Sequence, residues 1–130
     1  MVTIETKQHP AWDVYKATCP TRQVLDCIAD KWAVLVIGLL NGGTRRFGEM
    51  RKSIEGVSQK MLTQTLRSLE RDGIVSRRVY ASVPPKVEYT LTPLGQSLAG
   101  IVESLRVWSE SNIEVVLASQ QTYDARPEAE

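Results

Sequence analysis

The side chains best suited to recognition chemistry lie between Ser58 and Arg71. Lys60, Gln64, Arg67 and Arg71 recur at intervals of four and three residues. At about 100° per residue this places them on one side of a helix, with Thr63 at its edge. Glutamine and arginine can pair bidentately with base edges, and lysine and arginine meet phosphates. No acid interrupts this face, because Glu70 and Asp72 sit elsewhere, toward the C-terminal end of the same stretch. Other chemistries lack their residues. His9 is the single histidine and stands in a polar N-terminal stretch, more readily solvated than catalytic. Paired carboxylates, a Ser/His arrangement, a CxxC pair and a His/Cys cluster are all missing. An enzyme is therefore rejected, and neither metal nor cofactor is expected.

The elements that position these residues carry their own signals. Ser58 can cap the first turn of a helix and Gly73 can end it in the left-handed conformation. Leu62, Leu66 and Leu69 form a narrow apolar stripe opposite the polar face. Next, Ile74 to Tyr80 and Val87 to Leu91 are β-branched and aromatic runs that pair as a hairpin. Its tip, Ser82 to Lys86, is stiffened by Pro84 and Pro85. A helix with a cationic and amide face followed by a hairpin bearing Arg77, Arg78 and Lys86 is the layout of a winged helix-turn-helix.

Upstream, residues 1–18 read as a polar arm with a short or irregular helix around Trp12 and Tyr15. Cys19-Pro20-Thr21 opens a helix that turns Val24, Leu25, Ile28 and Cys27 inward. Asp30 caps a buried helix from Lys31 to Leu40, stopped by Asn41-Gly42-Gly43. Thr44 to Phe47 is extended and suited to a third strand, and Gly48 to Ile54 is a short helix with Met50 and Ile54 inward. Downstream, Thr92-Pro93 opens a long helix. Leu94, Leu98, Ile101, Leu105 and Trp108 repeat at alternating spacings of four and three, an a/d seam widened by Val102, Val115 and Val116. The seam either covers the domain's own core or joins two copies. The length of the helix favours a homodimer.

A chain of 130 residues suits one domain. The expected parts are an N-terminal arm over 1–18, associated with the dimer, a winged domain with its C-terminal dimerisation helix over 19–118, and a flexible acidic tail over 119–130. The fold class is mainly α with a small antiparallel β-hairpin wing (α+β), flanked by N- and C-terminal dimerisation helices. Net charge is only +1, but it is unevenly spread. From Arg45 to Lys86 ten basic residues face four acidic ones, whereas from Glu110 onward five acids face Arg126 alone. That asymmetry suits a middle region turned toward phosphates. No signal peptide and no membrane-length apolar run is visible, so a cytoplasmic protein with reduced thiols and no membrane partner is expected.

Several short motifs in one order carry a family resemblance. They are Cys19-Pro20, Lys31-Trp32, Arg45-Arg46-Phe47-Gly48-Glu49-Met50, Ser58-Gln59-Lys60-Met61-Leu62, Leu66 to Gly73, Val83 to Tyr89 and Leu91-Thr92-Pro93-Leu94-Gly95. Over roughly Cys19 to Trp108 the chain resembles the HxlR-type regulators, winged-helix bacterial transcription factors related to the MarR family. The resemblance implies a dimeric repressor or activator that binds double-stranded DNA at an inverted-repeat operator through the Ser58–Asp72 helix. It also implies a response to thiol-reactive inducers, such as quinones, aldehydes or oxidants, through Cys19, as in some members. Cys27 lies outside the pattern and reads as a core-facing thiol.

Three sets of site residues are expected. Arg46, Ser58, Gln59, Lys60, Thr63, Gln64, Arg67, Arg77, Arg78 and Lys86 would contact DNA. Trp12, Leu94, Leu98, Ile101, Leu105 and Trp108 would form the dimer, and Cys19 would sense. A cationic helix face taken alone is more often merely solvated, and the hairpin and upstream helices are what turn the balance. A winged-helix module that binds proteins is the competing function. Such a module would present apolar or aromatic anchors where this helix presents amides and cations.

Overall fold

The structure is a computed structural model and describes residues 11–127. The elements run α1 (Pro20–Ile28), α2 (Lys31–Leu40), β1 (Arg45–Arg46), α3 (Phe47–Ser53), α4 (Gln59–Arg71), β2 (Val75–Tyr80), β3 (Lys86–Leu91) and α5 (Pro93–Asp124). The three strands form one antiparallel sheet in the order β1-β3-β2. Among the described residues no helix is long and apolar enough to cross a membrane.

Capping chemistry explains most of the helix starts. The Asp30 carboxylate accepts the N–H groups of Trp32 and Ala33 at 3.0 and 3.2 Å and so starts α2. The Ser58 hydroxyl accepts the Met61 N–H at 3.0 Å and starts α4. Glu49 reaches back to the Arg46 N–H at 2.7 Å at the head of α3. The far end of α4 is a Schellman turn. Gly73 takes φ +77°, its N–H bonds the Glu70 carbonyl at 3.0 Å, and the Ile74 N–H bonds the Leu69 carbonyl at 2.9 Å.

The core gathers one face from nearly every element. Ala33, Val36, Ile37 and Leu40 of α2 meet Met50 of α3, Leu62, Leu66 and Leu69 of α4, Val75 and Leu91 of the sheet, and Ala99 and Val102 of α5. Thr92 locks the sheet to α5. Its hydroxyl accepts the Gly95 N–H at 3.0 Å and starts the helix, while its own proton points to the Gly73 and Ile74 carbonyl oxygens at 2.5 and 3.1 Å. The Thr92 N–H also bonds the Ile74 carbonyl at 3.0 Å.

Four features differ from the sequence reading. Val24 and Leu25 are 44% and 46% exposed rather than inward; α1 has no buried residue and reaches the core only through Cys27 and Ile28. Residues 11–18 form turns and no helix, and the rest of the N-terminal arm lies outside the described residues. Val102 belongs to the core and does not widen the seam, since it sits about 100° round the helix from Ile101. Finally, α5 continues to Asp124, past the tail boundary expected at residue 119. Nothing in Ser119-Gln120-Gln121-Thr122 breaks a helix, and the first proline after the seam is Pro127.

Gly95 is a glycine the packing requires. A Cβ there would collide with the Ile74 carbonyl oxygen and press on Leu91. Gly95→Ala should therefore lower stability by about 1–3 kcal/mol, the usual cost of overpacking. A shift of the urea midpoint at unchanged slope would show it, and an unshifted midpoint would mean that α5 does not sit this close to the hairpin.

Candidate nucleic-acid interface

The outer face of α4 is polar along its length. Its leucines are sunk in the core, so the helix is held along its whole inner side. That leaves Gln59, Lys60, Gln64, Arg67 and Arg71 exposed on the outside, with Thr63 half-buried at the edge and Ser58 at the cap. No ion pair draws Lys60 or Arg67 into the protein among the described residues. At about 1.5 Å per residue a helix of this length spans a little under 20 Å, enough to lie in a major groove.

The strand register sorts the wing's cations. Val75 pairs with Leu91, Arg77 with Tyr89 and Val79 with Val87 on one face, and Arg78 with Glu88 and Tyr80 with Lys86 on the other. Because Arg46 of β1 also pairs with Glu88, Arg46, Arg78 and Lys86 share that second face. Tyr80 holds two of them. The Arg78 guanidinium lies 4.9 Å and the Lys86 ammonium 4.7 Å from its ring centroid, while its hydroxyl donates to Glu88 at 3.0 Å. Arg77 behaves differently. On the face toward α4, its Nε donates to Glu70 at 3.3 Å. Both partners are well exposed, so the pair adds little stability, but it braces the wing against α4.

Arg51 and Lys52 of α3 were left out of the sequence-derived site. They line a shallow hollow together with Phe47, Gly48 and Gln59, which brings them beside the start of α4. Their place in the basic run from Arg45 was the available signal. The short connection between α3 and α4 turned that run into a shared surface.

The other expected residues lie apart from this face. Leu94, Ile101, Leu105 and Trp108 of α5 and Trp12 of the arm are each more than half exposed, and Leu98 is partly buried against the core. Cys19 caps α1 and is only 6% exposed. The Thr21 hydroxyl lies 3.0 Å from its sulfur and the Asp13 N–H donates to it at 3.2 Å. These contacts, Thr21 first, hold its pKa below that of an ordinary thiol. The nearby Arg22 spends its donors on the Val14 and Tyr15 carbonyls at 3.1 and 2.8 Å. Cys27 is the opposite case. Burial, reinforced by the Asp72 carboxylate, pushes its thiol up to about 11, which keeps it protonated. Among the described residues no group of three or more His, Cys, Asp or Glu could hold a metal ion.

Comparison with known proteins gives this arrangement a context. The HxlR-like helix-turn-helix family model matches residues 27–116. The HTH-type transcriptional regulator YtfH of Escherichia coli (strain K12) is 45% identical over 106 residues, which is 82% of this chain and 84% of that protein. Among solved structures, the transcriptional regulator ytfH from Salmonella typhimurium superposes with a TM-score of 0.81 at 43% identity, covering 85% of this chain and 98% of that one. The redox regulator HypR in its oxidised form gives a TM-score of 0.67 at 47% identity, covering 72% and 97%.

The two thiols should separate by pH. In single-cysteine variants, alkylation at Cys19 should reach half its plateau rate below a free thiol's value of about 8.5, whereas Cys27 should remain far from its plateau at about pH 9. A common inflection for both would contradict the environments described.

Proposed function

The chain belongs to the HxlR-like helix-turn-helix family of transcriptional regulators, and from that premise we propose that it acts as a homodimer on an inverted-repeat DNA operator. The observation that carries the proposal is the outward face of α4. Gln59, Lys60, Gln64 and Arg67 stand exposed on a helix fixed by three buried leucines. With Thr63 at their edge they enter the major groove and read bases, while the Ser58 end of the helix and Arg46 meet phosphates. Arg78 and Lys86, held over Tyr80, contact backbone or minor groove. Arg77 contributes mainly by holding the wing in place. A protein-docking role for the same face is less well supported, because its centre lacks the aromatic anchors of such interfaces.

The seam of α5 supplies the second copy. Leu94, Ile101, Leu105 and Trp108, with Leu98 at its margin, present a continuous apolar line on a helix of 32 residues. Trp12, together with Val24 and Leu25 of α1, adds exposed apolar surface of the same character. Two-fold pairing would set the reading heads on half-sites about 34–36 Å apart, or a multiple of it. Cys19 is the proposed sensor. Its thiolate is favoured by Thr21 and the Asp13 N–H, and HypR, a related structure, is described as a redox regulator. An electrophile such as a quinone would add to the sulfur. Alternatively, two Cys19 thiols of a dimer would lose two electrons and two protons to an oxidant such as diamide and form a disulfide. Either change strains the dimer and misaligns the half-sites.

An operator selected from random-sequence duplexes provides the test. Gln64→Ala and Arg67→Ala should each weaken binding by about 1–3 kcal/mol and relax preference at one position, while Lys86→Ala should lower the salt slope by about one. Unchanged affinity in the Gln64→Ala, Arg67→Ala double variant would remove α4 as the reading helix. In the same assay diamide should release the wild type and spare Cys19→Ser.

Assembly is tested separately by sedimentation. Wild type should be a dimer at micromolar concentration, and Leu105→Asp should be a folded monomer that binds the operator poorly. A monomeric wild type would remove the dimer.

A further inference from the structure

We propose that the cavity between α2, the α3–α4 turn and the inner side of α5 binds a small apolar molecule that carries a positive charge. The cavity measures about 370 Å³ and is lined by Leu35, Gly38, Ile54 and Val102 together with the charged side chains of Glu55, Glu103 and Arg106. That size lies in the range of about 300–1,000 Å³ usual for ligand sites, and an apolar wall with a few polar groups is their usual make-up.

Gly38 is the first argument. It stands in the interior of α2, where glycine weakens a helix, among residues that are otherwise nearly all apolar. Close packing does not call for it. A Cβ at Gly95 would collide with backbone, whereas a Cβ at Gly38 would meet nothing within 4 Å. What the missing side chain does at Gly38 is leave the cavity open.

Charge is the second argument and sets the ligand class. Arg106 is already answered: its donors reach Glu103 at 2.5 and 3.1 Å and Glu110 at 2.8 Å. Glu55 has no ion-pair partner among the described residues. The unanswered charge lining the cavity is thus a carboxylate, which favours a lipophilic ammonium over an organic acid. The apolar seam does not compete for this space. Ile101 and Leu105 are exposed where Val102 is buried, so the seam and the cavity lie on different sides of α5.

Position gives such a ligand a use, and this part rests on the DNA-binding reading. Ile54 and Glu55 lie just before the Ser58 cap of α4, and Val102 and Arg106 belong to the helix that would join the two copies. A bound molecule touches both the mount of the reading helix and the arm that spaces the heads. Binding itself needs no DNA and is measured without it.

Calorimetry on the full-length protein with two probes of one shape and opposite charge tests the site: 1-naphthylmethylammonium and 1-naphthylacetate. The cation should bind saturably, one per chain, at least about tenfold tighter than the anion. Gly38→Leu, whose Cβ meets nothing within 4 Å and whose further atoms occupy the space, should abolish that binding, and Glu55→Gln, a surface change, should bring the two probes to within about threefold. The proposal is overturned if neither probe saturates, if Gly38→Leu folds and binds like wild type, if Glu55→Gln leaves the preference intact, or if the anion binds better. Binding to Leu105→Asp but not to wild type would overturn it too, by identifying the occupant as a second copy of the chain.

Discussion

The junction at Thr92 sets the relation among the three parts of this protein that have to keep a fixed geometry. Helix α4 is terminated by the Gly73 turn, the wing starts with Ile74, and α5 starts with Pro93. Thr92 touches all three: it is bound to the Gly73 and Ile74 carbonyls and it caps α5 by accepting the Gly95 N–H. A glycine at residue 95 then lets the first turn of α5 lie against the Ile74 carbonyl. Hydrogen-bonded backbone at both sides of one residue leaves little room for independent motion. Thr92 therefore ties α5 to the end of α4 and to the root of the wing together.

Around that junction the surface chemistry divides cleanly. On one side stand the outer face of α4 and the wing cations, with Arg77 and Glu70 bracing helix to hairpin and Tyr80 holding Arg78 and Lys86. Another side carries the apolar seam of α5, and Glu110, Glu114 and Asp124 follow further along the same helix. Near-neutral net charge is thus compatible with a strongly basic face, because like charges are grouped on one part of the surface. The two cysteines divide in the same way. Two donors to the sulfur favour the thiolate of Cys19, and burial beside Asp72 disfavours that of Cys27.

Much of this was legible in the chain because it depends on neighbours close in sequence. Ser58, Asp30 and Thr92 cap the helices they were expected to cap, Gly73 adopts the left-handed turn, and Leu62, Leu66 and Leu69 go inward. Helix caps, helical periodicity and strand alternation are local rules, and the resemblance to the HxlR-type family was carried by short motifs that are likewise local in sequence. The start of α1 at Pro20 and the third strand at Arg45–Arg46 were visible for the same reason.

What the sequence left undecided was which apolar face meets which partner, and which cation meets which acid. Val24 and Leu25 follow an inward pattern yet stay exposed, while Val102 leaves the seam for the core, because the docking angle of a helix is set by elements distant in sequence. Arg77 and Arg78 are adjacent and alike in type, but the β-register sends one to Glu70 and the other over Tyr80. The same holds for the two glycines inside helices α2 and α5. Only the approach of a hairpin carbonyl makes Gly95 a packing requirement, and only the separation of α2, the α3–α4 turn and α5 makes Gly38 the floor of a cavity. Periodicity determines how each element is patterned, whereas side-chain partners arise from packing between segments that the chain brings together over long separations, and that is decided in three dimensions alone.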